Sequence, residues 1–120
     1  MERVYIISRY RADTHKEQEF NLEVARHFCR KIIDEGNIPV APHLYYTQFL
    51  DDSYPKDREL GLSLGLQDLR KADRFLMVVV DGQVSEGMKG ELIEASRYGI
   101  YGEIITVTKE NISEEMKVVR

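Results

Sequence analysis

The stretch "RFLMVVV" (74–80) has no polar residue after its arginine. A strand with one face in water alternates polar and apolar positions, whereas an unbroken β-branched run needs cover on both faces. The architecture that supplies it is a parallel sheet with helices packed on each side. The rest of the chain fits that demand. "RVYIIS" (3–8) is a second short buried strand, and "RYRADTH" breaks it with charge. From Lys16 to Glu35 the apolar residues Phe20, Val24, Phe28 and Ile32 recur at helical spacing, and Gly36 supplies the stop. "NIPVAP" (37–42) reads as a strand ended by Pro42, and residues 43–56 as a long aromatic loop. Helical spacing returns over 57–72, and residues 86–99 form a helix closed by Gly99. "EIITVT" (103–108) is a further strand, and "KENISEEMKVV" holds one short amphipathic helix. Alternating strands and helices give an α/β fold: three layers, with a mostly parallel sheet of about four to five strands, Rossmann-like or flavodoxin-like.

At 120 residues, the expectation is one domain spanning 1–120. A net charge of −4 argues against a nucleic-acid polymer as partner. The single cysteine, Cys29, excludes an intrachain disulfide and suits a reducing compartment. It lies beside Phe28 in a helical pattern, which favours a buried thiol over a nucleophile. No apolar run reaches the length of a membrane span, and no signal-peptide segment is evident, so no membrane partner and a cytoplasmic location are expected.

In open parallel sheets, ligands bind beyond the carboxyl ends of the strands. That rule selects Ser8 to Asp13, the 43–56 loop, and Asp81 to Glu91. In the last of these, Asp81 ends the central strand, Gly82 turns the chain and Ser85 is a good helix N-cap. A helix N-terminus attracts phosphate or carboxylate. Gly87 and Gly90 clear one helix face, and Glu91 borders it. Two readings of this pattern stand. Either a ligand approaches the backbone beside Glu91, or the glycines permit close helix–sheet packing and Glu91 is a surface residue.

The first segment offers Tyr5 within its strand and Ser8, Arg9, Tyr10 and Arg11 at its end. Arginine forks bind phosphate well, but core packing of Tyr5 and solvated arginines explain the same residues. The middle loop offers His43, Tyr45, Tyr46, Phe49, Asp51 and Asp52. Its aromatic residues either stack on a base or staple the loop to the core. His43, Tyr45 and Asp51 are the candidate base or sugar contacts. His15, His27 and His43 lack ligand spacing with Cys29, so no metal and no cofactor are expected. Neither a Gly-x-Ser-x-Gly elbow nor a P-loop is present.

The segments "VYIISRYR", "PVAPHLYYTQFLDD" and "RELGLSLGLQDLRKADRFLMVVVDGQVSEGMKGELIEA" together resemble the nucleoside 2-deoxyribosyltransferase-like superfamily. The resemblance covers about residues 3–100, and is strongest to small bacterial and phage members whose pattern reads "SEGM..E". It implies that Glu91 is a nucleophile, oriented by Tyr5. Ser85, six residues before Glu91, and Arg11, six after Tyr5, would lie on the substrate or its phosphate. Ser8, Arg9, Tyr10, Asp81, Gly87 and Met88 belong to the same implied substrate- or phosphate-binding set. One departure is Gly65, where the superfamily often carries an aspartate that contacts base or sugar.

The resemblance implies cleavage or transfer at the N-glycosidic bond of a 2′-deoxynucleoside or its 5′-monophosphate, through a covalent glycosyl-enzyme. Ser85, the helix terminus, Arg9 and Arg11 would then keep Glu91 ionised. The partner would be a small nucleoside or nucleotide, and a homo-oligomer is expected. From a different class, a non-catalytic module would use the same pocket to hold a nucleotide or an ADP-ribose-like ligand, and Gly65 favours it.

Overall fold

The computed structural model describes residues 1–117. Its strands are β1 (Arg3–Ile7), β2 (Ile38–Val40), β3 (Arg74–Val80) and β4 (Gly102–Val107). Its helices are α1 (His15–Asp34), α2 (Pro42–Tyr45), α3 (Pro55–Arg70), α4 (Glu86–Arg97) and α5 (Lys109–Met116). All strand pairs are parallel, in the order β2-β1-β3-β4. Among the described residues the sheet has four strands, the lower figure of the expected range. No helix among them is long and apolar enough to cross a membrane.

The period of two along the strands sorts the core into two layers. Val4, Ile6, Leu76 and Val78 pack with Val24, Phe28 and Ile32 of α1 and Ile112 of α5. Tyr5, Ile7, Phe75, Met77 and Val79 face the other way, onto Leu69 of α3 and Met88 and Ala95 of α4. In β3 the five residues Phe75–Val79 are all buried, as the double-sided cover requires. Each such side chain contributes about 1.5–3 kcal/mol when fully buried. The pairing of Tyr5 with Phe75 and Ile7 with Met77 brings the carboxyl ends of β1 and β3 side by side. The chain leaves β1 for α1 on one face and β3 for α4 on the other, which opens a crevice between the strand ends.

Local chemistry sets the boundaries. Thr14, Ser85 and Thr108 cap α1, α4 and α5, each accepting a backbone N–H three residues on. Gly36, at φ +86°, closes α1. At Gly102 a Cβ would sit 2.1 Å from the Phe75 carbonyl oxygen, so the edge strand β4 docks only through a glycine.

The 43–56 segment is not a plain loop. Pro42 starts the one-turn α2, and Tyr46–Gln48 continue as a 3-10 turn. Proline is pre-set for a first helical position, and two single turns are too short for any period to register. Tyr45 and Phe49 stay 58% and 66% exposed, so they do not staple this segment to the core.

Candidate active site

Glu91 and Tyr5 meet as the register of the sheet demands. Tyr5 is on the β1 face that packs against α3 and α4, and its hydroxyl donates to Glu91 Oε2. Ser85 Oγ accepts the Met88 N–H at 3.2 Å, starting α4 so that Glu91 comes round one turn later toward the sheet. A Cβ on Gly90 would meet nothing within 4 Å, and one on Gly87 only Ser85 Oγ at 3.9 Å. The glycines therefore do not serve close packing. Both line an open cleft of about 460 Å³, together with Tyr5, Ser8, Ser85, Met88 and Glu91.

Burial raises the Glu91 carboxyl to about 7, and the hydrogen bond from Tyr5 is the opposing influence. The expectation that Ser85, the helix terminus and the arginines hold this group ionised is thereby corrected: burial sets the shift, and the Tyr5 hydrogen bond alone opposes it. Tyr5 itself is pushed far above the usual tyrosine range, first by burial and then by the Glu91 carboxylate. It remains a donor at any working pH. The arrangement is a half-protonated carboxyl near neutrality, oriented by one phenol, facing space.

The β1–α1 segment and the α2–α3 region form the opposite wall. Tyr10 stacks on His43 with ring centroids 4.7 Å apart and planes 10° apart. Burial lowers His43 to about 4, so its imidazole is neutral at pH 7. Arg11 Nε and Arg58 Nη1 flank one Asp52 oxygen at 3.5 and 3.6 Å, and all three residues line the cleft. These distances leave the guanidinium forks without a close partner there. Tyr46 also lines the cleft and donates to Asp68 Oδ2 at 2.7 Å. A Cβ on Gly65 would lie 3.5 Å from Pro42 and 3.6 Å from the Tyr5 hydroxyl, so α3 passes close to the tyrosine at a position that has no side chain.

Several sequence candidates stand elsewhere. Arg9 and Asp81 line a separate hollow of about 280 Å³ that includes Val24 and Val78, on the α1 and α5 side of the sheet. Arg9 Nη1 donates to Gln83 Oε1 at 2.6 Å. Asp81, at φ +53°, accepts the Lys109 N–H at 3.0 Å and so ties the strand end to α5. Ser8 is only 6% exposed and lines both spaces. Tyr45 contacts Tyr46 and Phe49 edge-on instead of lining the cleft. Asp51 accepts from the N–H and Oγ of Ser53, which holds its carboxyl below the usual range.

In both of these last cases the neighbouring residue, Tyr46 or Asp52, lines the cleft instead. In a turn, adjacent side chains point different ways, so choosing between adjacent like residues needs the local backbone conformation. Arg58, on the first turn of α3, carries no spacing signal and was missed. Cys29 is half-buried and its thiol is raised to about 11 by burial, which leaves it unreactive.

The four-stranded parallel sheet with its carboxyl-end cleft is an α/β fold shared with a solved 2-deoxyribosyltransferase. Over 98% of this chain and 77% of that one, it is similar to the 2-deoxyribosyltransferase of the psychrotolerant bacterium Bacillus psychrosaccharolyticus, with a TM-score of 0.72 and 14% identity. The chain belongs to the family described as domain of unknown function DUF7768, which matches residues 2–105. A likeness to the CMP N-glycosidase BcmB of Clostridium botulinum covers 96% of this chain and 80% of that one, with a TM-score of 0.49 and 19% identity. No curated protein matches.

Proposed function

We propose that the cleft cleaves or transfers at the N-glycosidic bond of a 2′-deoxynucleoside or its 5′-monophosphate, with Glu91 as nucleophile. The observation that carries this reading is the buried Glu91 carboxyl, held by the Tyr5 hydroxyl and facing the space that Gly87 and Gly90 leave open. The ionised carboxylate attacks the anomeric carbon as the bond to the base breaks. The electron pair of the broken bond goes to the base, which takes its proton from solvent, through an oxocarbenium-like transition state. Water or a second base then takes the sugar from Glu91. Tyr5 keeps the attacking oxygen in place throughout. Ser85, the first N–H groups of α4, and Arg11 with Arg58 are the groups that would receive a 5′-phosphate.

The likeness of fold to a 2-deoxyribosyltransferase is consistent with this chemistry and does not assign it. A homo-oligomer belongs to the same proposal, supported by the half-exposed Leu62 at the cleft and Ile93 on α4; light scattering tests it. A second reading, nucleotide binding without turnover, rests on Gly65, which has no side chain where the resemblance implies an aspartate. Incubation with a panel of deoxynucleosides and their monophosphates, with and without an acceptor base, separates the two. Chromatographic appearance of free or exchanged base supports the enzyme. Tight binding with no released base supports the module.

A further inference from the structure

The proposed chemistry uses Tyr5 and Glu91 and leaves the Tyr46–Asp68 pair without a task. Asp68 is on α3, one turn beyond Gly65, where the helix passes the Tyr5 hydroxyl. It is also close enough to Tyr5 for its charge to act on that hydroxyl. Tyr46, from the 3-10 turn, lines the cleft and gives its proton to Asp68 at 2.7 Å. Tyr46, Asp68, Tyr5 and Glu91 thus belong to one neighbourhood of the site.

Hydrogen-bond polarity follows from this geometry. A carboxylate accepts and does not donate, so the proton between the two groups is the tyrosine's. With that proton committed, the Tyr46 oxygen offers a ligand only its lone pairs. Opposite a carbonyl oxygen, it would face lone pairs with lone pairs. A ligand N–H or O–H completes the oxygen's coordination. Such polarity reading discriminates where the bound ligand excludes water, because the mismatched group is then left unpaired.

We infer that Tyr46, held as an acceptor by Asp68, is a specificity-determining residue that takes a hydrogen-bond donor on the ligand. This rests on the nucleoside reading of the cleft. The donor is either an amino group of the base or a hydroxyl of the sugar, and the two sources are separable. Tyr46→Phe keeps the ring and its edge contact with Tyr45 and removes only the acceptor. Asp68→Asn presents an amide that can donate to the tyrosine oxygen and release its proton toward the ligand.

Calorimetric titration tests the inference without turnover. One arm compares free bases that carry an amine or a carbonyl at the same position: cytosine with uracil, and adenine with hypoxanthine. The other compares 2′-deoxycytidine with 2′,3′-dideoxycytidine on a Glu91→Gln background. The expected result is that the donor-bearing member of at least one arm binds about tenfold more tightly. Tyr46→Phe then brings that ratio to about one, and Asp68→Asn lowers or inverts it. An effect confined to the free bases assigns the base amine, and one confined to the nucleosides assigns the sugar hydroxyl. A purely structural role would weaken both members of a pair equally, and ratios unchanged in Tyr46→Phe overturn the inference while leaving the proposed function standing. Absence of binding by every base and nucleoside, and by the corresponding 5′-monophosphates, overturns both.

Discussion

Replacing Glu91 with glutamine should stabilise the protein, and by an amount that depends on pH. The folded carboxyl titrates near 7 against 4.5 for the free group, because burial disfavours its charge. A raised folded value means that the folded state holds the proton more tightly than the unfolded chain. The associated stability is complete below about pH 4.5 and is lost as pH rises through about 7. The full difference corresponds to about 3 kcal/mol. Because the side chain lines an open cleft, contact with water trims this to about 2–3 kcal/mol.

Glutamine has the same shape, accepts the Tyr5 hydrogen bond and carries no charge. Glu91→Gln should therefore match the wild type near pH 4 and exceed it by about 2–3 kcal/mol above pH 8, a rise in Tm of about 10 °C for a chain of this size. Urea unfolding of both proteins at matched pH values measures the gap, and other titrating groups cancel in the comparison. A gap that does not grow with pH, or a wild type that is the more stable protein at pH 8, refutes the burial argument for Glu91.

Tyr5→Phe removes the hydrogen bond that opposes burial at Glu91. The acidic limb of the pH profile of kcat/KM should move to higher pH, and an unchanged limb would show that the phenol does not act on the carboxylate. Gly90→Ala should be tolerated or mildly stabilising, since its Cβ meets nothing and alanine favours a helix by about 1 kcal/mol. Gly90→Leu should keep the fold and lose ligand binding; equal binding by both variants would contradict the assigned role of the open helix face. Gly102→Ala forces a Cβ against the Phe75 carbonyl. It should destabilise the protein by about 1–3 kcal/mol through displacement of β4, and a midpoint within error of wild type in urea would contradict the close docking.

The fold was legible wherever a period ran long enough. The uninterrupted apolar run of β3 and the spacing of Phe20, Val24, Phe28 and Ile32 each carry several repeats of one pattern, and both elements form as read. Tyr5 and Glu91 were legible as candidates because each has a register: one on the inward side of a buried strand, the other four residues after a glycine on a capped helix. Arg9 and Arg11 had none. They share an irregular segment, and only the folded chain shows that Arg9 turns to Gln83 across the sheet while Arg11 turns to Asp52. The one-turn α2 and the 3-10 turn after it were invisible for the same reason, so Tyr46 was not told from Tyr45, and the irregular turn beyond them left Asp52 not told from Asp51. The charge state of Glu91 needed the structure as well, since it depends on how much water the cleft admits beside the carboxyl.

The central claim is that Glu91 forms the bond to the sugar. The most direct measurement is the rate of free-base release from the deoxynucleoside and monophosphate panel by wild-type protein and by Glu91→Gln, both shown to be folded. Loss of the nucleophile should lower kcat by at least about a thousandfold while ligand binding persists. Release by Glu91→Gln at a rate near that of the wild type would contradict the assignment.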